Sequence, residues 1–253
     1  MPEYITSRAN PLCTHFRKLA SSGSYRRETG EFLCDSPKLL QEAQLWGADV
    51  RTVLYTAGAK LPAFEAAGVR MVEVSESVMR AVSPMETPQG VVFSCRLCPN
   101  GLPETLAPGR YLVLDGIQDP GNVGTILRTA DAFDCDGIFL LPGCADLYNP
   151  KTFRAAMGVH FRRALYPCTL EQLTALLTAA SVPLYAAALG DNTVDVRDAD
   201  LSNAAVVIGS EGRGVSPQVL AVCGQTLKIP MSERCESLNA AVAAAVLLWE
   251  GWR

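Results

Sequence analysis

Three polar stretches hold the residues best suited to chemistry. Asn122 and Arg128 lie within Leu114-Asp115-Gly116-Ile117-Gln118-Asp119-Pro120-Gly121-Asn122-Val123-Gly124-Thr125-Ile126-Leu127-Arg128. Glu211 stands between glycines in Val206-Val207-Ile208-Gly209-Ser210-Glu211-Gly212-Arg213-Gly214-Val215-Ser216-Pro217. Ser237 and Asn239 close Ile229-Pro230-Met231-Ser232-Glu233-Arg234-Cys235-Glu236-Ser237-Leu238-Asn239. Glycines at the density of Gly209, Gly212 and Gly214 let a backbone come close to a ligand or to another segment. Two common ligand loops are absent. Only Gly121-x-x-Gly124 remains of a dinucleotide fingerprint, and no glycine-rich run ends in Lys-Ser/Thr.

Each stretch follows an apolar run that reads as a strand and leads into a helix, so all three polar segments fall at strand ends, where α/β sheets bind ligands. In the first, Asp119-Pro120-Gly121 suits a turn and Asn122 suits a helix cap. Val123, Ile126, Leu127, Ala130 and Phe133 then share one face, leaving Arg128 opposite, either solvated or facing a ligand. In the third, Ser237 or Asn239 reads locally first as a helix cap, and three polar loops at successive strand ends leave a shared cleft as the other reading. The last helix, expected over about 237–252, is apolar nearly all round and is expected to be buried on several sides.

Further strands are expected near 52–55, 69–74, 90–94, 111–114, 137–141, 183–187, 204–208 and 226–229, alternating with helices, so the fold class is α/β with mainly parallel sheets. Asn10-Pro11 and Ser36-Pro37 mark helix starts. The turn-rich segment between Cys95 and Gly109 separates a domain over 1–96 from one over 110–253, with 97–109 as linker. A chain of 253 residues, 49% hydrophobic, can fill two modest cores.

The nine cysteines, odd in number, read as reduced thiols. Cys95 and Cys98 are the one close pair, and with only His15 and His160 beside them no metal site is expected. No apolar run reaches the roughly 18 residues of a membrane span and Met1 to Pro11 lacks a secretion signal, so a cytoplasmic protein without membrane contact is expected. The net charge of −4 argues mildly against nucleic acid, yet Arg8, Arg17, Lys18, Arg26 and Arg27 crowd one end, and Lys151, Arg154, Arg162 and Arg163 form a second run without acids.

In order and spacing, Asp115 to Ala130, Ile208 to Ser216 and Ile229 to Val242 resemble the three signature motifs of the SpoU/TrmH family, the RNA ribose 2′-O-methyltransferases of the SPOUT class. Asn149 to Gly158 resembles the family's basic segment, with Ala156 where serine is usual. Ser7-Arg8-Ala9-Asn10-Pro11 and Gly30-Glu31-Phe32-Leu33 are similar to the family's substrate-binding extension, a small α/β RNA-binding domain resembling ribosomal proteins. Cys34-Asp35-Ser36 departs from an acidic-glycine pair there, and Asp134 replaces a glycine.

The resemblance implies a C-terminal α/β SPOUT domain with a deep trefoil knot, S-adenosyl-L-methionine bound by the knot loops, and a homodimer through that domain. It implies methylation of RNA, ribosomal in preference to transfer RNA, and RNA contacts from Arg8, Arg17, Lys18, Arg26, Arg27, Lys151 and Arg154. It gives Arg128 the central catalytic place. Because arginine keeps its proton, a clamp on phosphate or ribose oxygen suits it better than general-base work. Asn122, Glu211, Ser237 and Asn239 would orient the nucleotide, and Gly209, Ile229, Met231 and Leu238 would hold the cofactor through backbone groups. Two other readings are an RNA-binding or ribosome-assembly protein of this fold without catalysis, and a nucleotide-dependent oxidoreductase. All five polar motif residues oppose the former, and the missing fingerprint opposes the latter.

Overall fold

The computed structural model describes residues 3–62, 68–99, 101–190, 192–232 and 234–252. Two compact units emerge: Met1–Pro99 with Asp146–Arg162, and Asn100–Ala145 with Arg163–Arg253.

The first unit is built on a five-stranded sheet of β1 (Glu3–Ile5), β2 (Glu31–Asp35), β3 (Val50–Tyr55), β4 (Arg70–Val74) and β5 (Val91–Arg96), in the order β1-β4-β3-β5-β2. β1, β4 and β3 pair in parallel, whereas β5 pairs antiparallel with both β3 and β2. The expectation of a mainly parallel sheet therefore fails here, because an apolar run marks a strand but not the direction of its partner. β1 and β2 escaped the sequence reading altogether.

Asn10 Oδ1 accepts from Leu12 N–H at 2.8 Å and Ser36 Oγ from Leu39 N–H at 3.3 Å, so both caps start helices where expected, α1 (Pro11–Ser21) and α3 (Pro37–Leu45). Ser36 has φ +94°, the left-handed backbone that the glycine of the resembling pair would favour. Alternate residues of each strand feed two cores. Leu33, Val72 and Val92 face Phe16 and Leu19 of α1 and Met79 of α4 (Glu76–Val82). Phe32, Val53 and Phe93 face Leu40 of α3 and Phe153 of α6 (Pro150–Ala156).

The aromatic side chains of 146–162 explain why this segment joins the first unit and interrupts the expected 110–253 domain. Phe153 packs on Phe32 at 4.9 Å between centroids and Tyr148 packs on it at 4.7 Å. His160 stacks on Phe153 at 4.3 Å and donates from Nε2 to the Leu147 carbonyl at 2.8 Å. Burial pushes His160 down to about 4.

This histidine has a testable pH signature. Its folded value lies below the unfolded one, so the unfolded chain takes the proton first as pH falls. The stability it supports is complete above about pH 6.5 and is lost toward about pH 4, about 3 kcal/mol in all. In urea titrations of the wild type and His160→Phe at pH 7 and pH 4.5, the wild type should lose about 2 kcal/mol more than the variant on acidification. Equal losses would remove His160 as the cause.

The second unit carries seven strands, all parallel to their neighbours: β6 (Arg110–Asp115), β7 (Gly137–Leu140), β8 (Leu165–Pro167), β9 (Leu184–Ala187), β10 (Thr193–Asp195), β11 (Ala204–Gly209) and β12 (Gln225–Lys228). The order is β10-β12-β9-β11-β6-β7-β8, so β11 and β12, late in the chain, lie between strands formed earlier. The expected strands are present, with β8 and β10 additional. Four other helices belong here: α5 (Pro120–Ala132), α7 (Leu170–Ala179), α8 (Pro217–Leu220) and α9 (Ala240–Trp252). α2 (Gly23–Thr29) completes the first unit. No helix among the described residues is long and apolar enough to cross a membrane.

α5 buries Val123, Ile126, Leu127 and Ala130 and leaves Arg128 exposed, as its periodicity indicates. Asp134 has φ +52° and pairs with Arg163, so an ion pair accompanies a backbone shape that favours glycine. α9 differs from expectation in two ways. It starts at Ala240, since Asn239 Oδ1 accepts from Ala241 N–H at 2.9 Å. Only one face is buried, with Ala240, Ala244 and Leu247 inward, while Val242 and Trp249 are each 50% exposed. A helix apolar nearly all round cannot reveal which side its own chain covers.

Candidate active site

Three loops at the carboxyl ends of β6, β11 and β12 meet in the second unit. The cap of α5 is Asp119, not Asn122: Asp119 Oδ1 accepts from the Asn122 N–H at 2.9 Å, and Pro120 is the first helical residue rather than part of a separate turn. With Asp119 as the cap, the Asn122 side chain is released for other partners. Its Nδ2 donates to Glu211 Oε1 at 2.5 Å, and its Oδ1 accepts from Asn239 Nδ2 at 3.1 Å.

The orientation of this line follows from one end. Asn239 spends its oxygen on the first amides of α9, so its nitrogen must face Asn122, and Asn122 must then turn its own nitrogen to Glu211. Asn239 thus both caps α9 and joins this hydrogen-bonded line. Each of the three polar stretches contributes one member, with Glu211 left exposed and one carboxylate oxygen beyond the Asn122 bond.

The Glu211 loop is a tight hairpin. Ser210 N–H donates to Gly214 O at 3.0 Å and Gly214 N–H returns to Ser210 O at 2.8 Å. Asp115, buried at the end of β6, accepts from Ser216 N–H at 2.6 Å and fixes the far side of the hairpin. Asp115 was not singled out from sequence. An acid ending the apolar run Tyr111 to Leu114 was the available signal.

Gly209, Ile229, Met231 and Leu238 line one cavity of about 300 Å3, with Glu211 and Ser237 in its wall. The lining is mostly small and apolar, including Ala187, Ile208 and Ala240. No hydrogen bond among the described residues occupies the backbone N–H of Met231 or Leu238. Apolar walls with free backbone donors fit a flat heterocycle with polar edges. Ser237 is exposed, and its carbonyl accepts from the Cys235 thiol at 3.3 Å.

Arg128 stands apart. It is exposed, takes no side-chain hydrogen bond or ion pair among the described residues, and does not line the cavity. Six residues after Asn122 in α5, it lies about 9 Å further along the axis and about 120° round.

In the first unit, the anticipated basic residues divide. Arg8, Arg17, Lys18, Arg27 and Lys151 are exposed. Arg17 donates to the Arg8 carbonyl at 3.3 Å, and Lys18 lies 5.2 Å above the Tyr25 ring. Arg26 is only 4% exposed, ion-paired to Asp146 at 2.6 Å, and so supports packing rather than a binding surface. Arg154 is tied to Asp35 at 3.1 Å. Among the described residues no group of three His, Cys, Asp or Glu is placed to hold a metal.

A parallel sheet with a ligand-sized cavity at its carboxyl ends, flanked by a carboxylate–carboxamide line, defines an α/β protein with a candidate ligand site where such sheets bind their ligands. The sequence model of the SpoU rRNA Methylase family matches residues 109–249, and that of the MRM3-like substrate binding domain matches residues 10–92. The chain belongs to the SpoU rRNA methylase family. It is 34% identical to the Bacillus subtilis 23S rRNA (guanosine(2553)-2′-O)-methyltransferase RlmP, over 97% of each chain. The AdoMet-bound rRNA methyltransferase of Sinorhizobium meliloti superposes with TM-score 0.85 at 29% identity, covering 98% of this chain and 97% of that one. The SpoU methyltransferase AviRb of Streptomyces viridochromogenes, in complex with AdoMet, gives TM-score 0.85 at 26% identity over 96% and 97%.

Proposed function

We propose that the chain transfers a methyl group from S-adenosyl-L-methionine to a ribose 2′-hydroxyl of ribosomal RNA. The observation that carries this reading is the Asn239–Asn122–Glu211 line beside the cavity lined by Gly209, Ile229, Met231 and Leu238. When bound, the cofactor supplies a sulfonium methyl open to in-line attack by oxygen. The chain's residues then have to align the hydroxyl and accept its proton. Glu211, oriented by Asn122, is placed to accept a hydrogen bond from the ribose, while Ser237 and Asn239 limit where it can sit. The Met231 and Leu238 amides suit the polar edge of the cofactor, and the apolar lining excludes water from its other face.

The isolation of Arg128 within its own copy supports a homodimer, joined through the half-exposed side of α9 and the outer side of α5, in which Arg128 of one copy serves the cleft of the other. We further assign this unit a deep trefoil knot, on the strength of family membership and of the late strands β11 and β12 lying between earlier ones. The exposed Arg8, Arg17, Lys18, Arg27 and Lys151 suit contact with RNA phosphates.

Titration calorimetry with S-adenosylmethionine, followed by incubation with labelled cofactor and deproteinised total RNA from a host lacking the gene, tests this function. Binding with ribose-linked label on ribosomal RNA is expected. Label on transfer RNA alone would reassign the substrate, and absence of binding would overturn the enzymatic reading in favour of a non-catalytic RNA-binding protein.

A further inference from the structure

A second cavity, of about 870 Å3, lies along the same edge of the sheet as the first. Gly116, Gly143, Thr169 and Ser216 mark its position at the carboxyl ends of β6, β7, β8 and β11. This is where the strand order reverses, with β7 on one side of β6 and β11 on the other, the place where open parallel sheets bind ligands. Its volume falls in the range of ligand sites. The Ser210–Gly214 hairpin is shared: Ser210 and Gly214 line both cavities.

We propose that this second cavity takes an unpaired base of the RNA next to the nucleotide that is methylated, an inference that rests on the RNA methyltransferase reading above. The polar lining carries the choice of ligand. Gln118, Arg213 and Gln218 are exposed around the cavity, and among the described residues none uses its side chain in a hydrogen bond or ion pair. Each glutamine carboxamide both donates and accepts, which matches the edge of a base. Arg213 is accompanied on the rim by the carboxylate of Glu171, so the cavity does not concentrate positive charge as a polyphosphate site would. Among the described residues no aromatic side chain lines it, so recognition falls to hydrogen bonding by the glutamines, with the Arg213 guanidinium as a plane on which a base can stack.

Proximity fixes which base. Glu211 follows Ser210 directly, so a ribose held at Glu211 lies at the edge of the shared hairpin, and the next nucleotide can drop its base behind it. Splayed single-stranded bases read on their hydrogen-bonding edges are the usual targets of sequence-specific RNA recognition.

The test compares the wild type with Gln118→Ala/Gln218→Ala and Arg213→Ala, using labelled methyl transfer to deproteinised total RNA from a host lacking the gene. The expected result is an RNA KM raised about tenfold or more, with kcat changed less than about threefold and cofactor affinity kept within about twofold. With the methylated site mapped, the double variant should also lose the wild type's preference among the four bases beside it. An unchanged KM and preference in both variants, with an active wild type, would overturn the proposal alone. A fall in cofactor affinity parallel to the rise in KM would also overturn it, since the side chains would then only support the shared hairpin. A wild type unable to methylate any RNA would overturn the functional reading and this inference with it.

Discussion

Arg128→Ala should abolish methyl transfer, lowering turnover by at least about 100-fold, while S-adenosylmethionine binds within severalfold of the wild-type affinity. The two halves of this expectation have separate grounds. The side chain does not line the cavity that holds the proposed cofactor residues, and it neither ion-pairs nor hydrogen-bonds among the described residues, so its removal leaves that cavity and the local fold intact. A guanidinium near a reacting ribose can hold the phosphate or the oxygen in line and stabilise developing negative charge in a site from which water is excluded. Arg128→Lys, which keeps charge without the planar fork, should recover only part of the rate.

Mixing provides a sharper form of the same test. Arg128→Ala and Glu211→Gln chains, each inactive alone, should regain activity when combined if the arginine acts across a dimer, because one of the two clefts then has both intact groups. Failure to recover activity in verified mixed dimers would place Arg128 in its own cleft. Normal rates in Arg128→Ala would remove the residue from the mechanism.

The second large effect is expected at Gly209, where β11 enters the hairpin. A Cβ there would lie 2.1 Å from Gly214 C and from Val215 N. These are backbone atoms, held by the two Ser210–Gly214 hydrogen bonds and by Asp115 on Ser216, so no side chain can swing away to make room. Gly209→Ala must push the hairpin out of place, moving Glu211 off Asn122 and reshaping the cavity. Cofactor affinity should fall about 100-fold or more, and stability by about 1–3 kcal/mol through overpacking. Gly212→Ala is the matched control, since nothing lies within 4 Å of the added carbon and φ is not in the left-handed region. It should bind the cofactor normally. Calorimetry together with thermal melts of both variants checks the pair, and equal affinities would show that the hairpin yields more easily than its hydrogen bonds indicate.

Tyr111 to Leu114, Ala204 to Ile208 and the buried face of α5 were legible because an apolar run or a 3.6-residue period is a local property, set by what each side chain costs to expose. Asn10 and Ser36 were legible as caps for the same reason. Asn122 was misread as a cap because Asp119, three residues earlier, offers the same oxygen to the same kind of donor, and Pro120 can begin a helix as readily as a turn. The resemblance to a known family had already set Asn122, Glu211 and Asn239 apart. No local rule could say that they touch, because 89 residues separate Asn122 from Glu211 and 117 separate it from Asn239.

Arg26 and the 146–162 segment show the complementary limit. An arginine beside another in a basic run has the same sequence signature whether it meets solvent or Asp146, 120 residues away. Phe153 lies in a segment counted with the second domain, yet its ring is buried against Phe32.

By itself, then, the amino-acid sequence determined the α/β class, most strand positions, the helix starts at Asn10 and Ser36, and the family to which the polar motifs belong. All of these depend on side-chain chemistry read over a few neighbouring positions, or on motif order along the chain. Only the tertiary structure decided that Asn239 both caps α9 and joins Asn122 and Glu211 in one hydrogen-bonded line, that Arg26 is buried against Asp146, and that Arg128 lies outside the cavity of its own chain. It also brought the proposed cofactor residues together in one cavity. These outcomes depend on distances across the sheet, where packing and hydrogen bonding select one partner among many of equal local propensity.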